Sequence, residues 1–394
     1  MRRVVVLPVV VALMALLGML PAGAGVAPPA IDAPRGPIPH VAAGTPRALV
    51  FGPHQRYRIG SRPMSVVTGD FTGDGLTDVA VSTTFSLSPR RDYKVWLFRQ
   101  KLDGSIRDAL KYPTDLAYSD NAGLAAGDLN ADRLTDLALA TATGVDIFTQ
   151  ASGRLSAAVL FPVPNAEQVQ IEDVVGGRGA DLVVNSNFEV TIVRNVRGTL
   201  EHGPQISLEN KNIEAGDVTN DGLADLVVNS RAAVYVSAQT VPGVFADPVS
   251  YPTIGGRPTQ GLELADVTGD GLDDAIVTLA SNSPDAAVDV FPGDPGSIFA
   301  MPLRYESYDI PQVVAAADLD DDGRADVVTI HDGWNAAGVY LQAADGTLAP
   351  EQLVPIPRTS HANEDFLSLG DVNGDDKIDI LFTAGRGLIV LPQA

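Results

Sequence analysis

The chain contains no cysteine, and that absence removes disulfide staples, thiolate metal sites and a lipid-bearing cysteine behind a leader. Histidine is scarce as well. The five, at 40, 54, 202, 331 and 361, fall in none of the aspartate-rich loops described below, which argues against zinc or iron. Basic residues are outnumbered, 27 against 49 acidic, for a formal charge of −22. Nucleic acid and anionic membrane surfaces both demand clustered Lys and Arg, so neither is an expected partner, whereas cations are. Aromatics are 6% of residues within a hydrophobic content of 45%, so a core must be assembled from Val, Ala, Leu and Ile. No sustained helical period runs through the chain beyond its apolar start. Instead, 38 Gly and 28 Pro mark frequent turns between short strands.

Residues 1–24 read as a secretory signal. Arg2 and Arg3 precede an apolar stretch from Val4 to Leu20, and Pro21-Ala22-Gly23-Ala24 supplies the small residues of a cleavage site. An uncleaved anchor is the alternative, at the lower limit of a spanning length. Residues 25–46 hold six prolines with Ala and Gly and read as a flexible tether. The folded domain is expected over 47–394. The chain is thus expected to be exported in the bacterial manner and secreted, without membrane insertion once the signal is removed.

One pattern returns seven times. Six copies are intact, beginning at Asp70, Asp128, Asp217, Asp266, Asp318 and Asp371; a seventh, Asp173–Asp181, keeps the spacing but has Val175 and Gly177 where the others carry oxygen donors. Successive first aspartates lie 58, 45, 44, 49, 52 and 53 residues apart, the length of four short strands with their turns. An apolar run follows each loop, then an alternating strand such as Val190-Thr191-Ile192-Val193, then a Gly turn and a fourth strand. The last copy stops after its third strand, Leu388 to Leu391, while the segment from Ala48 to Ile59 resembles a fourth strand lacking a third. The expectation is an all-β, seven-bladed β-propeller of four-stranded blades, closed by the N-terminal strand completing the last blade. Closure of that kind removes the open edges of a linear array.

In the intact copies, positions one, three, five and nine offer side-chain oxygens, and position seven offers its carbonyl. Loop by loop these are Asp70, Thr72, Asp74 and Asp78 with Leu76; Asp128, Asn130, Asp132 and Asp136 with Leu134; and Asp217, Thr219, Asp221 and Asp225 with Leu223. The later three are Asp266, Thr268, Asp270 and Asp274 with Leu272; Asp318, Asp320, Asp322 and Asp326 with Arg324; and Asp371, Asn373, Asp375 and Asp379 with Lys377. Calcium takes six to eight hard oxygens, and alternate side chains on a tight turn converge to supply them. Position six is Gly in four loops; Arg133 and Asp376 hold it in the other two, where a less ideal turn is expected. An EF-hand would need Glu at position twelve and an exit helix, but that position is Val81, Leu139, Val228, Val277, Thr329 or Phe382, each within a β run. Asp-rich turns without metal are the plain alternative. Six at matched spacing favour about six structural calcium sites, with none at Asp173–Asp181.

These loops resemble the FG-GAP or VCBS repeats of bacterial proteins, whose propeller is similar to that heading integrin α chains. The resemblance covers about residues 48–394 and implies calcium at the blade hairpins of the six intact copies. The Phe-Gly and Gly-Ala-Pro dipeptides that name the repeat are nearly absent, Phe51-Gly52-Pro53 being the nearest, so integrin-like ligand recognition does not carry over.

No nucleophile elbow and no His paired with Ser or Cys is present, so the chain is expected to bind a protein or glycan outside the cell, as a monomer, and not to catalyse. A lyase-like, calcium-dependent polysaccharide enzyme is the alternative, and a purely structural module is a third. Basic residues that a lyase would need, Arg90, Arg91, His331 and His361, read as ordinary surface residues. Ligand contacts are expected on the irregular loops opposite the aspartates, at Arg90, Arg91, Tyr118, Trp334 and His361.

Overall fold

Each apolar run that follows an aspartate loop has no polar face to turn to solvent. Asp78–Thr84 and Asp136–Thr141, for example, are buried along their whole length, which suits the middle of a sheet covered on both sides. The computed structural model describes residues 48–84, 94–114, 122–177, 179–186, 188–208, 212–359 and 366–394. No helix occurs among them. The signal and tether expected over 1–46 lie outside the described residues.

Seven four-stranded antiparallel sheets follow one another along the chain. Blade 1 consists of Arg62–Gly69, Asp78–Thr84, Lys94–Phe98 and Leu110–Pro113. Blades 2 to 6 repeat that order over 124–161, 168–207, 212–252, 262–306 and 311–355. Blade 7 takes Leu367–Gly370, Asp379–Ala384 and Gly387–Leu391, and Gln55–Arg58 lies antiparallel along the last of these with Gln55 opposite Val390. Ahead of that strand, Leu49 exchanges backbone hydrogen bonds with the Gln352 carboxamide of blade 6.

The first strand of every blade is innermost, and each touches the first strands on either side, the last blade meeting the first. There the Thr68 hydroxyl donates to the Leu369 carbonyl at 3.0 Å. Seven hydrophobic clusters fill the seven joints between neighbours. One of them gathers Val66, Trp96 and Phe98 of blade 1 with Val372, Leu381 and Val390 of blade 7. The fold is therefore a seven-bladed propeller. Its core is divided among joints because a twisted sheet can bury its faces only against the next sheet.

Candidate metal loops and the opposite face

The six intact loops share one geometry. The first carboxylate accepts the backbone N–H of position six at 2.7–3.0 Å, and the fifth accepts that of position seven at 2.9–3.1 Å. Positions four and six both turn left-handed. Arg133 (φ 67°) and Asp376 (φ 63°) adopt the same turn as Gly75 (φ 80°), at a cost of about 1–2 kcal/mol each. The loop thus outweighs the residue's own preference.

Position nine behaves differently. In all seven copies its carboxylate is buried and one oxygen accepts the backbone N–H of the residue leaving the third strand, at 2.7–3.0 Å. The other oxygen takes an N–H from position two or three in every copy except Asp78. Burial pushes Asp78, Asp136, Asp274 and Asp326 up to about 6 and Asp379 to about 7, and raises Asp181 and Asp225 as well. Position two is always a buried apolar side chain: Phe71, Leu129, Val174, Val218, Val267, Leu319 or Val372. Each plugs the joint with the following blade. Its unbroken apolar character is visible in the sequence, beside the more conspicuous acids.

The degenerate copy separates the two roles. Asp173–Asp181 keeps the plug Val174 and the buried Asp181, which accepts N–H groups from Val174, Val175 and Asn195. It loses only the donors at positions three and five. The hairpin thus forms without side-chain oxygens at those positions, although in the other six loops the position-five carboxylate also accepts the N–H of position seven.

Cation chemistry fits what is there. Asp318, Asp320 and Asp326 bring one carboxylate oxygen each within 4.8 Å of the others. Asp320 is raised by burial and by its neighbours Asp322 and Asp318. In the first loop the Thr72 hydroxyl is near enough to Asp78 to favour its charged form, yet neither Thr72 Oγ1 nor Asp78 Oδ2 completes a hydrogen bond. These are hard oxygen donors in an anionic cup, the set that calcium requires. Of the position-seven residues, Arg324 also pairs its guanidinium with Asp322 and donates to the Gln342 carbonyl at 3.2 Å.

The loops of blades 1, 2, 3 and 6 are each bonded by the next blade. A Gln or Asn stands where the third strand ends in six blades: Gln100, Gln150, Asn195, Gln239, Gln342 and Gln393. Gln239 donates its amide to the Val174 carbonyl and Gln393 to that of Leu319, both at 2.8 Å, while Gln150 reaches the Asp70 carbonyl at 3.3 Å and Asn195 that of Leu129. Blade 5 has Gly293 there. Gly104, Gly153, Gly243 and Gly346, in the turns between third and fourth strands, sit against loops of the preceding blade, and a Cβ on Gly104 or Gly346 would overlap the carbonyl oxygen of Asn373 or Thr268.

At the other end of the blades, Trp334 is 45% exposed on the connection that follows the second strand of blade 6. Tyr308 meets it edge-on at 5.9 Å and meets His331 at 5.6 Å. His331 itself is not a surface residue, contrary to expectation. It is fully buried, with Nδ1 3.1 Å from the Asp309 carbonyl and Nε2 2.8 Å from Glu351 Oε1. Gly338 leaves room for that pair, since a Cβ there would overlap Glu351. Arg90, Arg91, Tyr118 and His361 lie outside the described residues.

A ring of four-stranded blades with an aspartate turn between the first two strands of each defines a repeat-built propeller. A family model described as FG-GAP-like repeat matches residues 217–277 and 314–382, and one described as FG-GAP repeat matches 63–98. The chain is an FG-GAP-type propeller. No curated protein matches it in sequence. Among solved structures, BBS1N in complex with ARL6DN is similar at a TM-score of 0.58 and 13% identity, covering 88% of this chain and 96% of that one. An Agrocybe aegerita lectin, described for specific recognition of non-reducing terminal N-acetylglucosamine, is similar at a TM-score of 0.54 and 17% identity, covering 74% and 80%. At these identities the likeness is one of fold.

Proposed function

We propose that this propeller is a secreted, calcium-stabilised binding module that holds a protein or glycan outside the cell and performs no catalysis. The observation that carries the calcium reading is the division of labour within the loops: positions two and nine serve the fold in all seven copies, while positions three and five supply outward oxygens in six. Residues 70–78, 128–136, 217–225, 266–274, 318–326 and 371–379 would hold the ions, which would supply positive charge to the acidic turns and tie each hairpin together. The two structural neighbours, one in a protein complex and one a lectin, support a binding role, and Trp334 is the described residue best placed to anchor a ligand. The burial and pairing of His331 remove one candidate base from the enzyme reading.

Melting of the mature chain with a chelator and with millimolar calcium is the first test: a higher midpoint in calcium is expected, with six ions per chain on metal analysis, and an unchanged midpoint refutes the reading. A glycan and extracellular-protein screen in both conditions then tests binding. Trp334→Ala should weaken any ligand found without altering the calcium-dependent melt.

A further inference from the structure

The loop Asp318–Asp326 departs from the other five intact copies at two donor positions together. Position three is Asp320 where they have Thr or Asn, and position seven is Arg324 where four of them have Leu. Four acids and one base therefore stand where those four loops hold three acids and no base. The additional base is bound within the loop. Arg324 pairs its guanidinium with Asp322, and its Nε donates to the Gln342 carbonyl at 3.2 Å. Gln342 in turn gives its own N–H to Asp326 at 2.7 Å, so the arginine is braced by the same strand end that holds position nine. Among the described residues no other position-five carboxylate is paired with a cation, and Lys377 makes no such pair in the last loop.

Hydrogen bonding then separates the four acids. Asp318 accepts the N–H groups of Asp322 at 3.1 Å and Gly323 at 2.7 Å, one on each oxygen. Asp326 likewise takes those of Gln342 and Leu319. Asp322 accepts the Arg324 N–H on one oxygen and the Arg324 guanidinium on the other. Asp320 is the exception: its Oδ1 is closed to solvent and has no donor. An acceptor in that state is costly until a donor or a cation reaches it. One oxygen each from Asp318, Asp320 and Asp326 lies within 4.8 Å of the others, and Asp322 is not of that group.

A metal ion could claim Asp322 only by expelling a guanidinium already bonded to it, whereas Asp320 stands open. We infer that donor roles are exchanged in this loop: Asp320 is the charged ligand that position five supplies elsewhere, and Arg324 keeps Asp322 out of the cation's shell. The inference rests on the calcium reading of the loops and assigns the residues at one of them.

The exchange is testable because ligand charge sets calcium affinity. The full mature chain is equilibrated with buffered free calcium just sufficient to saturate the parent, bound ions are counted, and melting is followed. Asp320→Asn should lose one ion per chain, with affinity at that loop down roughly tenfold or more. Asp322→Asn keeps an oxygen for the Arg324 N–H and should lose none. Asp221→Asn, at the same position of a loop without the arginine, should lose one. Adding Arg324→Leu to Asp320→Asn frees Asp322 and recreates the donor set of Asp128–Asp136, so the lost ion should return.

Equal losses for Asp322→Asn and Asp320→Asn overturn the exchange, and so does a double variant that regains nothing. Melting in chelator reports on folding separately. Asp320→Asn should leave that midpoint unchanged, and an equal fall in chelator and in calcium would make Asp320 a folding residue instead of a ligand. A parent chain that binds no calcium overturns the calcium reading itself, and this inference with it; every other adverse result overturns the exchange alone.

Discussion

A buried carboxylate that accepts two or three backbone N–H groups is part of the hairpin's own hydrogen bonding before any ion arrives. At Asp225 the partners are the amides of Gln239 (2.7 Å) and Thr219 (2.9 Å). Asp225→Ala should therefore cost about 3 kcal/mol in denaturant titrations whether or not calcium is present, since both amides are left without acceptors. Asp221→Ala, at position five of the same loop, should lower stability in calcium and change little in chelator. Equal losses for Asp221→Ala in both conditions would abolish the distinction between folding and metal positions. Acidity offers a second check. In the metal-free chain the folded Asp78, Asp136, Asp274, Asp326 and Asp379 carboxyls hold protons that the unfolded chain gives up near the ordinary aspartate value, because burial raises them to about 6 or 7. The folded state thus binds more protons across that window, and its stability falls as pH rises through it. Calcium favours the charged form, so its stabilising effect should grow over the same interval. Melts in chelator and in calcium at a series of pH values measure both trends; a chelated midpoint that climbs from pH 4 to 7 contradicts them.

Between elements, the loops of blades 1, 2, 3 and 6 are shared property: one blade supplies the acids and the next supplies a side-chain amide that donates to the loop backbone. Gln239→Ala should destabilise the ring by about 1–2 kcal/mol and loosen the Asp173–Asp181 hairpin, whose Val174 carbonyl it caps. Gly346→Ala combines a left-handed φ of 80° with overlap onto the Thr268 carbonyl, so it should cost more and should weaken calcium at Asp266–Asp274. A Gly346→Ala chain that melts like the parent would show that the turn does not bear on the loop. The acids at positions one, three and five were legible in the sequence because their chemistry is local and repeats at fixed offsets. The role of the amides was not, since each acts on a different blade. A signal existed all the same: Gln150, Asn195, Gln239 and Gln393 each follow a position-nine aspartate by 14 residues. The burial of His331 was likewise out of reach, because its partner Glu351 lies two strands away across the sheet.

For the molecule as a whole, the strand Gln55–Arg58 brings residues from the start of the described chain against those at its end. Deletion of residues 25–44 should leave melting unchanged, whereas deletion through Ile59 uncovers the edge of Gly387–Leu391 and removes Tyr57 and Ile59 from the joint between blades 7 and 1. A full-length midpoint in the longer deletion would show that this strand does not hold the ring together. The joints themselves are not equal. Between blades 4 and 5, Gly293 stands where the other blades place an amide, so nothing from that position grips the Asp217–Asp225 loop. The far side of the same joint is tied firmly: Arg304 makes a two-pronged pair with the buried Asp289 and also reaches the Ile254 carbonyl at 2.7 Å, and Arg257 pairs with Asp285. Such a joint has a hinge on one side and a seam on the other. When the ring breathes, it should part there first, at the aspartate face, and amide exchange in Asp217–Asp225 should be the fastest among the six intact loops.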